Sequence, residues 1–296
     1  IPNTHLSQRY TAAEAAMVRV AVAQIDPHLA DKRYNLEIVE QSIADASRAG
    51  TSLIVLPEAA VTGYVYESLD EARAVAESIP GPTTESIAAA TERHHIFAVV
   101  GMLERVGPDV FNTAILCGPR GLEAVYRKTH TLCLGVDRFT APGDLPYVVH
   151  PLPFLRLGIL ICYDLRFPEP ARALALGGAQ AIALPTNWPA SSTIQPEIFT
   201  RARAAENRVF VLAADRIGQE RDATFLGRSQ IVDPNGVVLA EASTSESEMV
   251  IRDIDPAGAD RKHVVLRAGA HEMDCFADRR PELYAAIAER AEPAPA

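Results

Sequence analysis

Three consecutive patterns between residues 155 and 188 constrain the fold most strongly. LRLGILICYD (155–164) is almost continuously apolar, as a strand covered on both faces must be. PEPARALALGGA follows with helical apolar spacing and closing glycines, and AIALPTNW then returns as a second apolar run. A strand, a helix and a strand in that order form a βαβ unit, so the chain reads as an α/β protein.

The same alternation extends in both directions. VRVAVAQI (18–25) reads as the first strand. RYNLEIVEQSIADASRA (33–49) sets Leu36, Val39, Ile43 and Ala46 on one helical face, Gly50 stops it, and SLIVLPE (52–58) is the next strand. Helices are expected over 68–79 and 84–94, separated by Pro80-Gly81-Pro82. Runs at 96–105, 111–118 and 122–128 then form a meander, with a turn at Pro119-Arg120-Gly121. After the βαβ unit come a helix over 196–208, a strand over 209–218, a hairpin over 229–242 around Pro234-Asn235-Gly236, and a last helix over 281–291. No repeat and no linker divides the chain. Residues 17–296 are read as one domain with a C-terminal tail, and 1–16 as a leader or vector-derived segment.

Composition narrows the function. With 38 acidic and 28 basic side chains the formal charge is −10, so the average surface repels phosphate backbones and nucleic acid is not expected as a partner. No apolar run reaches the roughly 18 residues that span a bilayer. The N-terminus lacks the basic start and apolar core of a secretory signal, and no membrane partner is expected. Cys117, Cys133, Cys162 and Cys275 are too sparse for a disulfide framework, which fits the cytoplasm. There is no CxxC pair, and the histidines are scattered apart from His94 and His95, so neither a metal nor another cofactor is expected.

Three of the expected strands end on reactive side chains: Glu58, Lys128 and Cys162. In α/β folds the carboxyl ends of strands are where ligands sit. A thiol must lose its proton to attack, and a carboxylate can take it. Attack on an amide carbonyl leaves negative charge on oxygen, which a fixed ammonium and a backbone N–H just after the nucleophile can stabilise. Singly, each residue has a blander reading. A cysteine in an apolar strand is ordinarily a small buried hydrophobe, a buried glutamate is often a structural ion pair, and a lysine beside Arg127 is often a solvated strand end.

Together, LPEAAVTGY, YRKTHT, ICYDLRFPEPARALALGGA, PTNW, RARAAENRVFV, GRSQIVDPNGVVL and DRRPELY, in that order and spacing, make the chain resemble the nitrilase superfamily of carbon-nitrogen hydrolases from about Val18 to Tyr284. The resemblance implies a four-layer αββα sandwich, a Glu58, Lys128 and Cys162 catalytic triad, no cofactor, and a homodimer or higher homo-oligomer. Many members carry a second glutamate after the lysine. Here that loop reads TLCLGVDRFTAPGD, where Asp137 is the carboxylate within reach, one methylene shorter and shifted in register, with Gly135 as the alternative occupant of the usual position.

Cys162-Tyr163-Asp164 resembles the amidase-type branch, whereas nitrilases typically show tryptophan and glutamate there. The implied reaction is hydrolysis of a small aliphatic carboxamide to acid and ammonia through a cysteine thioester. An N-carbamoyl amide hydrolase and an ω-amidase remain alternatives, with nitrile hydrolysis less favoured and a noncatalytic amide-binding protein as the other class. Tyr163, Tyr64, Asn187 and Trp188 are expected to bind substrate or the oxyanion. Asp164 reads as support paired with Arg201 or Arg203. Arg166 or Arg216 could recognise a carboxylate, a role that surface ion pairing explains equally well.

Overall fold

Residues 17–289 are described by a computed structural model, and the segments 1–16 and 290–296 lie outside the described residues. Strand β1 (Val18–Gln24) leads through helix α1 (Lys32–Arg48) to β2 (Leu53–Val55). Asp31 caps α1 by accepting from Tyr34 N at 3.1 Å, and Asn35, Val39, Ile43 and Ala46 form its buried face. Leu36 is only partly buried, one position beside the stripe. Each fully buried Val or Ile of this kind contributes about 1.5–3 kcal/mol.

Helix α2 (Leu69–Val75) is shorter than expected. Beyond Ala76 the chain turns extended, and Glu77 joins the next strand by exchanging backbone bonds with Leu103 and Arg105. Helix α3 (Pro82–His94) starts on its proline, which lacks the N–H that a first helical turn leaves unused. The meander is present as β3 (Phe97–Val106), β4 (Asp109–Gly118) and β5 (Gly121–Arg127).

The second half contains β6 (His150–Pro151), β7 (Arg156–Ile159), α4 (Pro168–Leu176), β8 (Ala181–Thr186), α5 (Thr200–Asn207) and β9 (Phe210–Asp215). A small ribbon of β10 (Gln219–Glu220) and β11 (Ala223–Thr224) follows, then the hairpin of β12 (Gln230–Val232) and β13 (Val238–Glu241). β14 (Glu248–Ile254) returns to pair antiparallel with β1 along its whole length, and α6 (Ala257–Asp260) closes this unit.

The first sheet runs β14-β1-β2-β3-β4-β5 and the second β13-β12-β9-β8-β7-β6. β1, β2 and β3 are parallel neighbours, as are β7, β8 and β9. β1 meets β9, and β2 and β3 meet β8, across the inner layer. Helices α1 and α3 pack on the first sheet and α4 and α5 on the second, giving the four-layer αββα sandwich. Gly158 of β7 admits α4 closely, since a Cβ there would stand 2.8 Å from Leu174 Cδ1. Residues 261–289 form a separate unit, a hairpin of β15 (His263–Arg267) and β16 (His271–Asp274). The helix expected over 281–291 is replaced there by a 3-10 turn (Pro281–Leu283) and a single helical turn (Ala285–Ala288).

Candidate active site

Glu58 lies just past the end of β2, fully buried. Its backbone is pressed onto β3, where Gly101 N donates to Pro57 O at 3.2 Å. A Cβ on Gly101 would meet Ala59 N at 2.4 Å and Glu58 Cα at 2.7 Å, so glycine is what allows this approach. Lys128 follows β5, and its N–H donates to Asn112 O on β4 at 2.8 Å. Its ammonium reaches Glu58 Oε1 at 2.7 Å and Asp137 Oδ2 at 2.5 Å. Asn112 Nδ2 donates to the same two carboxylates, to Glu58 Oε1 at 2.7 Å and Asp137 Oδ1 at 2.9 Å.

Asp137 therefore meets the lysine with a side chain one methylene shorter than a glutamate. It sits on a 3-10 turn (Gly135–Arg138) whose first residue has φ +49. Gly135 occupies no polar position: a Cβ there would stand 2.3 Å from Tyr64 Cε1. The Tyr64 hydroxyl lies 3.2 Å from Asp137 Oδ2 and 3.3 Å from Leu134 O. Glu220 holds this tyrosine from behind, accepting from Tyr64 N and Val65 N at 2.9 and 2.8 Å. Glu220 is ion-paired with the buried Arg216, which also contacts Asp26, so Arg216 is committed to structure.

Cys162 opens a 3-10 turn (Cys162–Arg166) with φ +44, left-handed for a residue that carries a side chain. Such a conformation costs about 1–3 kcal/mol and persists only where surroundings enforce it. Here Asp164 enforces it, its backbone N–H donating to Ile161 O and its Oδ2 accepting from Ile161 N, both at 3.0 Å. Asp164 pairs with Tyr126 and His130 and not with Arg201 or Arg203. Arg203 instead donates to the carbonyls of Leu165 and Arg166. Arg166 is exposed and lies over the Phe199 ring.

Thr186 closes β8 and Asn187 follows it, both buried, and the Thr186 hydroxyl and the Asn187 side-chain amide have no hydrogen-bond partner among the described residues. Trp188 is fully buried, with its backbone N–H donating to Asp215 Oδ1 at 2.9 Å. Tyr163 is half-buried, its ring edge-on to Phe167. Glu58, Lys128, Asp137 and Tyr64 thus form one bonded cluster, with Cys162 under its field. Asn112, Thr186 and Glu220 were not singled out in the sequence. Asn112, a lone amide inside the apolar run FNTAILCG, carries the one signal that could have found it.

Burial pushes the Glu58 carboxyl above its ordinary range, the negative charge of Asp137 adds to this, and Lys128 opposes it. For Lys128 burial alone would favour the neutral amine, but Asp137 and Glu58 outweigh it and hold the ammonium protonated well above the usual lysine range. Burial and the Glu58 charge drive the Cys162 thiol well above its ordinary value, with Lys128 opposing. The resting sulfur accordingly carries its proton. Glu58 Oε1 is taken by Lys128 and Asn112, whereas the buried Oε2 has no hydrogen-bond partner among the described residues. That oxygen can accept a proton.

A cavity of about 550 Å³ opens beside the cluster, walled by Tyr64, Val65, Leu134, Pro189 and Phe225, with Arg138 at its edge. Glu58, Lys128 and Cys162 do not line it directly. It reaches them through Tyr64, bonded to Asp137, and through Pro189, which follows the 186–188 segment. Among the described residues no group of three or more His, Cys, Asp or Glu could hold a metal ion, and no helix is long and apolar enough to cross a membrane.

Residues 19–263 match the family model described as carbon-nitrogen hydrolase. The chain belongs to the carbon-nitrogen hydrolase family. This hydrolase is 38% identical over 272 residues to a protein of Pyrococcus abyssi named nitrilase, covering 90% of this chain and 99% of that one. It is 32% identical over 268 residues to an (R)-stereoselective amidase of a Pseudomonas species, covering 89% and 92%. Among solved structures it resembles a glutamate-to-glutamine mutant of the amidase from Nesterenkonia sp. AN1, at 26% identity and a TM-score of 0.77, with 93% of this chain and 98% of that chain covered. In that structure the acetamide moiety of fluoroacetamide is covalently added at the active-site cysteine. The hydrolase thus falls in the amidase-type branch of the nitrilase superfamily.

Proposed function

We propose that this hydrolase cleaves the C–N bond of a small aliphatic carboxamide, giving a carboxylic acid and ammonia through a thioester on Cys162. The observation that carries this reading is the division of labour within one carboxylate, with Glu58 Oε1 saturated by Lys128 and Asn112 while Oε2 is left without a partner. Glu58 Oε2 takes the thiol proton as the sulfur attacks the amide carbonyl. The Lys128 ammonium and the Tyr163 N–H stabilise the oxyanion, a contribution of about 10²–10³ in rate for one such donor. Glu58 then returns the proton to the departing nitrogen, ammonia leaves and the thioester remains. Water gives a proton to Glu58 and attacks the thioester, and the proton returns to sulfur as the acid departs.

Asp137 holds the lysine, and Tyr64, Asn187 and Trp188 surround the acyl group. Tyr163-Asp164 after the cysteine, and the fluoroacetamide adduct of the Nesterenkonia amidase, support amide over nitrile. The exposed Leu176, Ile194 and Ile198, in the segments that follow β7 and β8, support self-association as a homodimer, which light scattering tests. The four free cysteines support a reducing cytoplasm.

The test is ammonia release from aliphatic amides, ω-amides, N-carbamoyl amino acids and nitriles, run beside Cys162→Ala. Simple amides are expected to turn over and the variant to be inactive. Undiminished turnover by Cys162→Ala overturns the mechanism, and a preference for any other substrate class overturns the specificity.

A further inference from the structure

Glu58 and Lys128 issue from the first sheet and Cys162 from the second. The two sheets meet through apolar side chains, whose packing is dense but not directional. Attack by the thiol needs its distance from the lysine and glutamate held within about 0.5 Å. We propose that Asp164 and His130 are positioning residues that form a hydrogen-bonded strut across the sheets, setting the gap between Lys128 and Cys162. This rests on the reading of those two residues as partners in one reaction.

Four hydrogen bonds converge on the fully buried Asp164 carboxylate. From the lysine side, Tyr126 OH reaches Oδ2 at 2.7 Å, and His130 N and Nδ1 reach Oδ1 at 3.0 and 2.8 Å. From the cysteine side, Ile161 N reaches Oδ2 at 3.0 Å. The donors stand two residues before and two after Lys128, and one residue before Cys162, while the acceptor stands two after it. A carboxylate offers about four acceptor positions. All are used, and all by residues next to the reacting ones.

His130 completes the strut. Its ring stacks on Phe167 at 3.8 Å and 13° between planes, so it is gripped by the turn that Cys162 opens as well as by its own strand end. A buried carboxylate only accepts, so Nδ1 carries the proton in this bond. Removing the His130 side chain still leaves Asp164 three donors, and Arg203 still fastens the far end of the turn through the carbonyls of Leu165 and Arg166. The fold therefore survives a loss that changes alignment.

Three variants separate alignment from bulk structure. In His130→Asn the amide nitrogen falls near the former Nδ1, in His130→Gln it falls near Nε2 and beyond Asp164, and His130→Ala has no donor. The expected result is a fall in kcat of about 10–100-fold for Ala and Gln, with KM within about twofold, and recovery to within about threefold by Asn. Alkylation of Cys162 by iodoacetamide, followed peptide by peptide by mass spectrometry, is expected to slow in Ala and Gln and recover in Asn. Equal kcat in all three, or losses that follow melting temperature and not donor position, overturns the strut. Alkylation needs no amide substrate, so it tests the strut even where the panel of amides fails and the proposed reaction falls.

Discussion

Asp137 Oδ2 stands 2.5 Å from Lys128 Nζ, and Asn112 ties both Asp137 and Glu58 with one amide nitrogen. One ammonium is thus shared between two buried carboxylates, and the charge of Asp137 is among the causes that raise Glu58. In the proposed mechanism Glu58 works as the carboxylate, so activity is expected to fall on acidification through a midpoint above the ordinary value of 4.5. Asp137→Asn removes the charge that lifts Glu58, and the acid limb of kcat/KM is expected to move to lower pH. The plateau is expected to drop about 10–100-fold as the lysine loses an anchor. A limb that stays or moves upward contradicts this coupling.

On the alkaline side the opposite holds. Lys128 is held protonated well above 10.5 and the Cys162 thiol well above 9.0. Neither group changes state near neutrality, so kcat/KM is expected to stay level from the top of the acid limb past the ordinary thiol value of 9.0. A pH profile that declines with a midpoint below that value would show a thiolate or a neutral lysine in the resting enzyme.

Two glycines admit the residues of the cluster. Gly101→Ala drives a Cβ into the backbone at Ala59 N and Glu58 Cα, and overpacking of this kind costs about 1–3 kcal/mol. Gly135→Ala combines φ +49 with a Cβ 2.3 Å from the Tyr64 ring, a strain of about 1–3 kcal/mol. Denaturant melts should show both losses. Gly101→Ala is expected to act on kcat through Glu58, and Gly135→Ala on KM and kcat together through Tyr64 and Asp137.

The cysteines should separate by reactivity. Burial pushes the Cys117 thiol up to about 12, whereas Cys133 and Cys275 are exposed. An aromatic disulfide reagent at neutral pH is expected to label Cys133 and Cys275 first and Cys117 only on unfolding. Cys133 lines the cavity, so a saturating amide should slow its labelling but not that of Cys275. Equal protection of both places the substrate elsewhere.

Periodicity was enough to find the helical face at Val39, Ile43 and Ala46 and the strands of the meander, because those patterns arise within one element. The ends of elements were less legible. The run at 68–79 looks helical, yet Glu77 leaves the helix to bond β3, a partner remote in sequence. β14 was missed because Glu248–Ile254 is half polar and acquires meaning only beside β1. Asp137 was legible as the carboxylate within reach of the lysine, but the geometry of their contact was not. That depends on Gly135 bending the turn against Tyr64. The Asp164 pairing was not legible because Arg201 and Arg203 are as remote from it in sequence as the actual donors Tyr126 and His130, and only the facing of the two sheets decides between them.

The first sheet is completed by β14, whose residues lie after every strand of the second sheet. During synthesis the segments carrying Glu58 and Lys128 therefore emerge well before the strand that closes their own sheet, and before the cysteine they act with. A chain ending before β14 lacks the strand that closes the sheet carrying Glu58 and Lys128, so reactivity is expected to be one of the last properties the nascent chain acquires. In refolding, recovery of turnover should trail recovery of helical signal, since helices need only neighbours whereas the reactive cluster needs the whole order of strands.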